Sequence, residues 1–262
     1  MGDADAADPD WMIRPGLAED APAVAELYAE VRRAAVPAMP APIHSPEEDL
    51  RFFAALLAGG FEVPSAGSAE PDLGTETWVV DRDGELLGFA VLQQSWLHSL
   101  YVHPDAAGAG VGSALLELAK ARRPEGFSLW VFASNLPARE FYARRGLVEL
   151  ESTDGRDNEE RSPDIRMAWP GHSPVAFYRS HIDEIDDRLG VLLAQRAALT
   201  AAVRRHRQAG ADDAAALRDP ERERLVAERI AARANNLGLH RVSRIVHAII
   251  EESLAAADDS EV

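Results

Sequence analysis

The spacing of hydrophobic positions changes once along this 262-residue chain, close to residue 170. Before that point, short apolar runs typical of strands alternate with segments whose apolar residues recur every three or four positions, as on one face of a helix. After residue 174 only the helical spacing remains, and it favours three helices. The pattern therefore predicts an α/β region followed by an all-helical region.

The first region is predicted to hold a series of strands with local turn and cap signals between them. Asp83-Gly84 separates two β-rich runs and is typical of a hairpin turn. Ser45-Pro46-Glu47-Glu48 predicts a helix start, because it supplies an N-cap, a proline at N1 and acids in the first turn. A further helix is predicted at 20–35 and a loop at 59–75. Strands are predicted at 13–14, 77–81, 85–93, 97–102, 129–132, 147–153 and 165–169.

A glycine-rich turn follows the strand at 97–102. Gly108, Gly110 and Gly112 alternate there, and a helix with apolar residues at 115, 116 and 118 comes next. Without side chains, backbone N–H groups can approach an anion, and the helix N-terminus adds partial positive charge. The turn is therefore a candidate phosphate site, with an ordinary tight turn as the alternative.

With the downstream residues included, residues 11–170 resemble the GNAT acetyltransferase superfamily. The family's loop, Gln/Arg-x-x-Gly-x-Gly/Ala, is matched at Gly110 and Gly112, but Ala107 stands at its Gln/Arg position. Its later element, Asn-x-x-Ala-x-x-Phe-Tyr-x-x-x-Gly-Phe/Leu, is matched in full by Asn135, Ala138, Phe141, Tyr142, Gly146 and Leu147. The resemblance implies a mixed, mainly antiparallel sheet flanked by helices, acetyl-CoA as cosubstrate and a small-molecule amine as acceptor.

The same resemblance implies roles for individual residues. Asn135 contacts the pantetheine arm of CoA, and Tyr142 donates a proton to the departing thiolate; the alternative for Tyr142 is core filler. His98 stands on the fourth strand where the family often has an acid, and its near-neutral pKa suits a general base. An ordinary strand residue is the other interpretation of His98, and Glu159 and Glu160 are the other candidate bases. The implied CoA-binding set is Leu100, Val102, Gly108, Gly110, Val111, Gly112, Ser113 and Asn135.

The helical region carries arginines on apolar helix faces. In its first helix, Arg196 interrupts an apolar stripe. Since a helix advances about 100° per residue, Arg196, Val203 and Arg207 lie within about 20° of one line along the helix surface. A guanidinium in such a place is costly unless it meets an anion, and its fork matches carboxylates. This favours a pocket for a polyanion. The stripe comprises Ile182, Ile185, Leu189, Leu192, Leu193, Leu199 and Val203.

Residues 175–258 resemble the all-helical, AroQ-type chorismate mutase family through "RSHIDEIDDRLGVLLAQRAALTAAVRRHR", "RDPERER" and "VSRIVHAIIEES". The resemblance implies a chorismate-type dicarboxylate as ligand. The implied contacts are Arg179, Arg196 and Arg222 to the substrate, Asp219 and Glu223 to its ring hydroxyl, and Ser253 on the last helix; the implied apolar walls are Val203, Val226, Ile250 and Leu254.

Two departures bear on the chemistry. Arg207 replaces a Lys and can still act as the catalytic donor to the ether oxygen of the breaking bond, whereas Ala257 replaces Gln or Glu and cannot donate. A Claisen rearrangement needs no nucleophile or metal, only a held conformer and stabilisation of charge on that oxygen. Several functions are therefore open for the helices. As an enzyme they would be a chorismate mutase, a weak mutase, a mutase for a relative of chorismate, or a related lyase. Otherwise they would form a ligand-sensing domain or a dimerising hairpin.

Helix geometry indicates a homodimer. Arg179 lies 17 residues before Arg196, which is about 25 Å along one helix and about 100° round it. One small dicarboxylate cannot touch both on a straight helix. Two antiparallel copies of the C-terminal helices can bring Arg179 of one chain to the pocket of the other.

Composition limits the remaining possibilities. The predicted domains are an acidic tail at 1–10, an acetyltransferase domain at 11–171 and a mutase-like domain at 172–262. Residues 1–171 hold 14 basic and 29 acidic groups, which opposes nucleic-acid binding, and the rest hold 13 arginines and 15 acids. Without cysteine there is no disulfide, thiolate metal site or thiol nucleophile. We expect a bifunctional cytoplasmic enzyme with no metal and no membrane contact.

Overall fold

The computed structural model describes residues 9–59, 74–208, 219–234 and 236–259, without the side chains of 207–208 and 258–259. These residues form two compact units, one up to Tyr178 and one from Arg179 onward. Phe177 lies against Gly126 in the first unit, so the units divide a few residues beyond the predicted boundary at 171/172, which stays a prediction. Residues 1–8 of the predicted acidic tail and 60–73 of the predicted loop at 59–75 lie outside the described residues.

The strands described in the first unit form one mixed sheet. The strands are β1 Met12–Pro15, β2 Thr75–Arg82, β3 Glu85–Gln93, β4 Trp96–Val102, β5 Phe127–Phe132, β6 Val148–Ser152 and β7 Asp164–Trp169. Their order in the sheet is β1-β2-β3-β4-β5-β7-β6, and each neighbouring pair is antiparallel except β4 and β5, which are parallel. This confirms the predicted mixed, mainly antiparallel sheet.

Helices cover both faces of this sheet. The helices α1 (Ala21–Ala34) and α2 (Pro46–Leu57) bury one face, with Phe53 and Phe89 at its centre. The predicted N-cap forms at the start of α2 as part of a capping box: Ser45 Oγ accepts from the Glu48 amide, and the Glu48 carboxylate accepts from the Ser45 amide at 2.8 Å. On the other face, α3 (Val111–Arg122) and α4 (Leu136–Ala143) pack over a larger core that includes Leu115.

β4 and β5 separate soon after they meet. Their register pairs Trp96 with Ser128 and continues no further. In the adjacent β3–β4 pair, Leu97 lies opposite Leu92 while Ser99 lies opposite Val91, so His98 is the extra residue of a β-bulge. The result is a gap in the middle of the sheet, between two strand edges.

The second unit is helical. Its helices are α5 (Pro174–Gln208, which begins in the first unit), α6 (Pro220–Ala231) and α7 (Gly238–Asp259). Its small core is formed by Ala227, Val242 and Val246, whereas the apolar stripe of α5 is exposed, Leu199 to 69 %. Among the described helices none is long and apolar enough to cross a membrane.

Candidate functional site

A cleft of about 670 Å³ occupies the gap between β4 and β5. Both strand edges contribute to its walls, from Leu97 to Val102 and from Leu129 to Phe132. Because the gap passes through the sheet, side chains from both faces reach the same cavity. The cleft therefore has two sides, which are chemically different.

On the side of α3 and α4 lie predicted CoA-binding residues. Leu100, Val102, Gly112 and Asn135 line the cleft, together with Tyr142. Asn135 is the N-cap of α4, and its Oδ1 accepts from the Ala138 amide at 3.3 Å. Its carboxamide NH₂ group is then the part that can donate to a ligand.

Tyr142 is almost wholly buried and lines the cleft from α4. Burial raises the pKa of its phenol well above the usual range, because the phenolate would be poorly solvated. The hydroxyl therefore stays protonated at neutral pH and is able to donate.

The glycine turn leaves the start of α3 open. Gly108 and Gly110 have φ of +82° and +86°, and a Cβ at either position would meet no atom within 4 Å. Gly110 is the N-cap of α3 and has no side chain to accept from the first-turn amides. Val111 is buried beneath this turn. The turn thus offers amide groups and open space to an anion.

Arg145, which the sequence reasoning missed, lies beside this helix start. Its Nη2 donates to Ser113 Oγ at 2.6 Å, and its guanidinium lies 3.9 Å from the centre of the Phe141 ring. The position follows the Phe141-Tyr142 pair in "FYARRG", so a search for cations near the motif would have found it.

The opposite side of the cleft carries His98 and acids. His98 is exposed within the cleft, and partial desolvation by the cleft walls lowers the pKa of its imidazole, so the ring is neutral at pH 7 and able to accept a proton. Of the other two candidate bases, Glu160 lines the cleft and accepts from the buried Arg32 at 2.9 Å. Glu159 is exposed outside it, 2.8 Å from His44 Nε2.

In the second unit, two predicted substrate contacts come together. Arg196 Nη1 donates to Ser253 Oγ at 2.6 Å and to the Ile249 carbonyl at 3.2 Å. Arg179 is exposed near the start of α5, and Ala257 is buried. The side chain of Arg207 lies outside the description.

The start of α6 holds the other predicted contacts. Asp219 Oδ1 caps the helix by accepting from the amides of Glu221 and Arg222. Glu223 Oε2 lies 3.9 Å from His247 Nδ1 on α7. Asp219, Arg222 and Glu223 therefore share one helix end.

Two family models match the chain. Residues 29–147 match the acetyltransferase (GNAT) family, and residues 178–257 match chorismate mutase type II. The chain joins a GNAT region to a chorismate mutase type II region. Both resemblances and the predicted fold class are thereby confirmed.

Relatives of the GNAT region are named N-acetyltransferases. The peptidyl-lysine N-acetyltransferase YiaC of Escherichia coli K12 is 32% identical over 96 residues, which are 36% of this chain and 64% of that protein. An uncharacterised N-acetyltransferase of Archaeoglobus fulgidus is 35% identical over 89 residues, 28% of this chain and 60% of that protein. The chain thus spans less than two thirds of the length of the curated relatives it matches.

Among solved structures, the PaiA N-acetyltransferase of Thermoplasma acidophilum, in complex with coenzyme A, is 20% identical, with a TM-score of 0.45. The match covers 61% of this chain and 98% of that one. Apo YjaB of Escherichia coli is 21% identical over 62% of this chain and 98% of its own, with a TM-score of 0.46.

Within the described part of this chain, no group of three or more His, Asp or Glu side chains is arranged to hold a metal ion.

Proposed function

We propose that the GNAT region transfers an acetyl group from acetyl-CoA to a small-molecule amine. The gap between β4 and β5 is the observation that carries this proposal. It opens to both faces of the sheet, with Asn135 and Tyr142 on one side and His98 with acids on the other. Such a passage lets a thioester from one side meet an amine from the other.

The α3 side fits the shape and charge of CoA. Its pyrophosphate would lie at the helix start from Gly108 to Ser113, near Arg145, because amides and a guanidinium favour anions. The pantetheine arm would run between the strands, where its amides can bond with the exposed edge of β4 at Leu100 and Val102. Asn135 would donate to the same arm.

The chemistry is acyl transfer by direct attack. The amine nitrogen forms a bond to the thioester carbonyl carbon, and the bond from that carbon to sulfur breaks. His98 takes the proton that the cationic amine loses before attack and passes it to solvent, and Tyr142 donates its phenol proton to the departing sulfur. The second proton lost from nitrogen returns to the Tyr142 phenolate through water, so both side chains are restored. The side of the cleft that carries His98 and acids is the acceptor side, and its acids attract a cationic amine to the cleft.

The test is an acetyl-CoA thiol-release assay on the full-length chain with a panel of primary amines, followed by mass spectrometry of the products. For at least one amine, we expect an N-acetylated product in an amount equal to the CoA thiol released. CoA binding without acetylation of any amine would contradict the acceptor class, and no CoA binding would contradict the site.

For the helical region we propose a homodimer that binds a chorismate-type dicarboxylate and rearranges it to the prephenate type of product. Two observations support this. Arg196 and Ser253 already meet across α5 and α7, and the long apolar face of α5 is exposed in one chain. A dimer would cover that face and bring Arg179 of a second copy to the pocket.

A specific observation favours an alternative. Ala257 carries no donor and is buried, so nothing at this position stabilises charge on the ether oxygen. A ligand-sensing or dimerising domain, or a lyase related to isochorismate chemistry, would tolerate this alanine.

Incubation of the full-length chain with chorismate, isochorismate and aminodeoxychorismate separates these functions. Prephenate identifies a mutase, and pyruvate identifies a lyase. A raised unfolding temperature without product identifies a sensor, whereas no effect of any of the three leaves dimerisation, which sedimentation measures directly.

A further inference from the structure

A large aromatic side chain is exposed in the middle of the sheet. Trp130 is 44% exposed, whereas its neighbours Leu129 and Val131 on β5 are buried. It lines the cleft together with His98. Exposed apolar surface within a concave site is typical of ligand contact rather than of folding.

The strand register places Trp130 on the acceptor side. Leu129 and Val131 belong to the core under α3, so Trp130, which alternates with them, points to the opposite face. Phe132 is on that same face, because Arg32 of α1 lies 5.7 Å from the centre of its ring. Trp130 therefore does not face the proposed CoA side.

Neighbouring side chains hold this aromatic surface in place. The Trp96 ring lies 6.4 Å from Trp130, with 13° between the ring planes. The Arg166 guanidinium lies 5.0 Å from the centre of Trp96, and its Nε donates to Ser128 Oγ at 3.2 Å. The nearly parallel Trp96 ring thus extends the aromatic surface of Trp130, and Arg166 lies against Trp96.

Carboxylates line the same cleft. Glu160 is tied to Arg32, and Asp164 is held by Thr153 Oγ1 and by Asn158 Nδ2 at 3.0 Å. Asp157 is exposed at the rim. A cleft with a flat aromatic wall and negative charge suits a molecule that has a flat apolar body and a cationic end.

We propose that the acceptor is a small amine carrying an aromatic ring, and that Trp130 determines this specificity by packing against the ring. This rests on the proposed acetyl transfer. The ring would lie on Trp130 while the amino group reaches His98. A cleft of about 670 Å³ that also takes the thioester end of CoA has room for a single-ring amine.

The test compares kcat/KM for 2-phenylethylamine and n-butylamine in the full-length enzyme. We expect the aromatic amine to be preferred by about tenfold, since aromatic packing adds to apolar burial. Trp130→Ala should lower this ratio to near one, and Trp130→Phe should keep most of it. The control Phe52→Ala removes an exposed ring of α2 outside the cleft and should leave the ratio unchanged.

Equal losses for both amines in Trp130→Ala, or no aromatic preference in the wild type, would overturn the proposal. So would a preference for a lysyl peptide over the small amines. If no amine is acetylated, the proposed function fails, and calorimetry then decides the subsite separately. CoA-saturated protein should bind 2-phenylethylamine, and Trp130→Ala should bind it about tenfold more weakly; no binding, or equal binding, overturns the proposal.

Discussion

The two units differ in how much of their site one chain can complete. The GNAT region buries a core on each face of its sheet and encloses its cleft with residues of the same chain. The described part of the helical region has a core cluster of only three buried side chains and leaves the apolar face of α5 exposed. The motifs of the GNAT region thus specify a site within one chain, whereas those of the helical region leave an apolar face that we propose a second copy covers.

The units also differ in the charge that they offer a ligand. Acids line the acceptor side of the cleft, among them Glu160 and Asp164, whereas α5 presents Arg196 beside Ser253. The first arrangement suits a cation and the second suits a carboxylate. The proposed substrates of the two regions therefore have opposite charge, and each variant below tests one side of this contrast.

The largest effect is expected at Tyr142. Tyr142→Phe removes the only polar atom of the side chain, and we expect kcat for acetyl transfer to fall about 100-fold, as for loss of a general acid. The Kd of acetyl-CoA should stay nearly constant, because the hydroxyl acts on the departing sulfur. Single-turnover kinetics and calorimetry measure the two quantities. An unchanged rate of the chemical step would remove Tyr142 from the mechanism.

The helical region should respond nearly as strongly at Arg196. Arg196→Ala removes a fork partner in a half-buried place, so dicarboxylate affinity should fall about 50-fold. Arg205→Ala, an exposed change on the same helix, is the control. Titration calorimetry with chorismate compares the two variants.

Mixing chains tests whether that site needs two copies. Arg179→Ala and Arg196→Ala chains should each be inactive alone. After mixing, they should regain about a quarter of wild-type activity, since half of the dimers are mixed and each has one intact site. A mixture as inactive as its parents would locate the whole site within one chain.

Features with local causes were predictable from the sequence. The Asp83-Gly84 hairpin, the Ser45 cap and the glycine turn before α3 all follow from the backbone preferences of a few adjacent residues. Apolar periodicity is also a property of short segments, and it predicted the seven strands and the helices beside them.

Features set by distant partners were not predictable. The bulge at His98 depends on how β3 and β4 align, and the gap beside it depends on where β5 leaves β4. Trp130 lies within the predicted strand at 129–132, but its exposure depends on which helices cover that face of the sheet.

The glycine turn offers a matched pair of variants. Gly110→Asp places a carboxylate where the pyrophosphate would lie, and we expect the Kd of acetyl-CoA to rise about 30-fold through charge repulsion. Gly84→Asp is equally strained, with φ of +90° and open space, but lies in the β2–β3 turn. Calorimetry should show unchanged affinity for that control. Equal affinity in both variants would place the pyrophosphate elsewhere.

A smaller effect, with a pH signature, is expected at His98. Because partial desolvation in the cleft lowers its pKa below the usual value of about 6.5, the base stays neutral at pH 7 and is lost only as the pH falls further. His98→Gln should lower kcat/KM about tenfold at pH 7 and remove that acid inflection. In both the wild type and His98→Gln, deprotonation of the substrate ammonium group still raises the rate towards alkaline pH. His103→Gln, paired with Glu30 outside the cleft, should keep the wild-type profile.

The smallest effect, and the sharpest test of the alternative for the helical region, is at Ala257. This residue is 3% exposed, so any larger side chain there overpacks the helices and costs about 1–3 kcal/mol of stability. Ala257→Gln and Ala257→Leu share that cost, but only the amide can donate to the ether oxygen. We therefore expect prephenate formation to be about fivefold faster with Gln than with Leu, through kcat more than KM, since the donor acts on charge that grows in the transition state. The unfolding midpoints of both variants show whether they are folded. Equal rates of prephenate formation in two folded variants would mean that position 257 does not face the reacting bond. The helical region would then be a binding or dimerising domain.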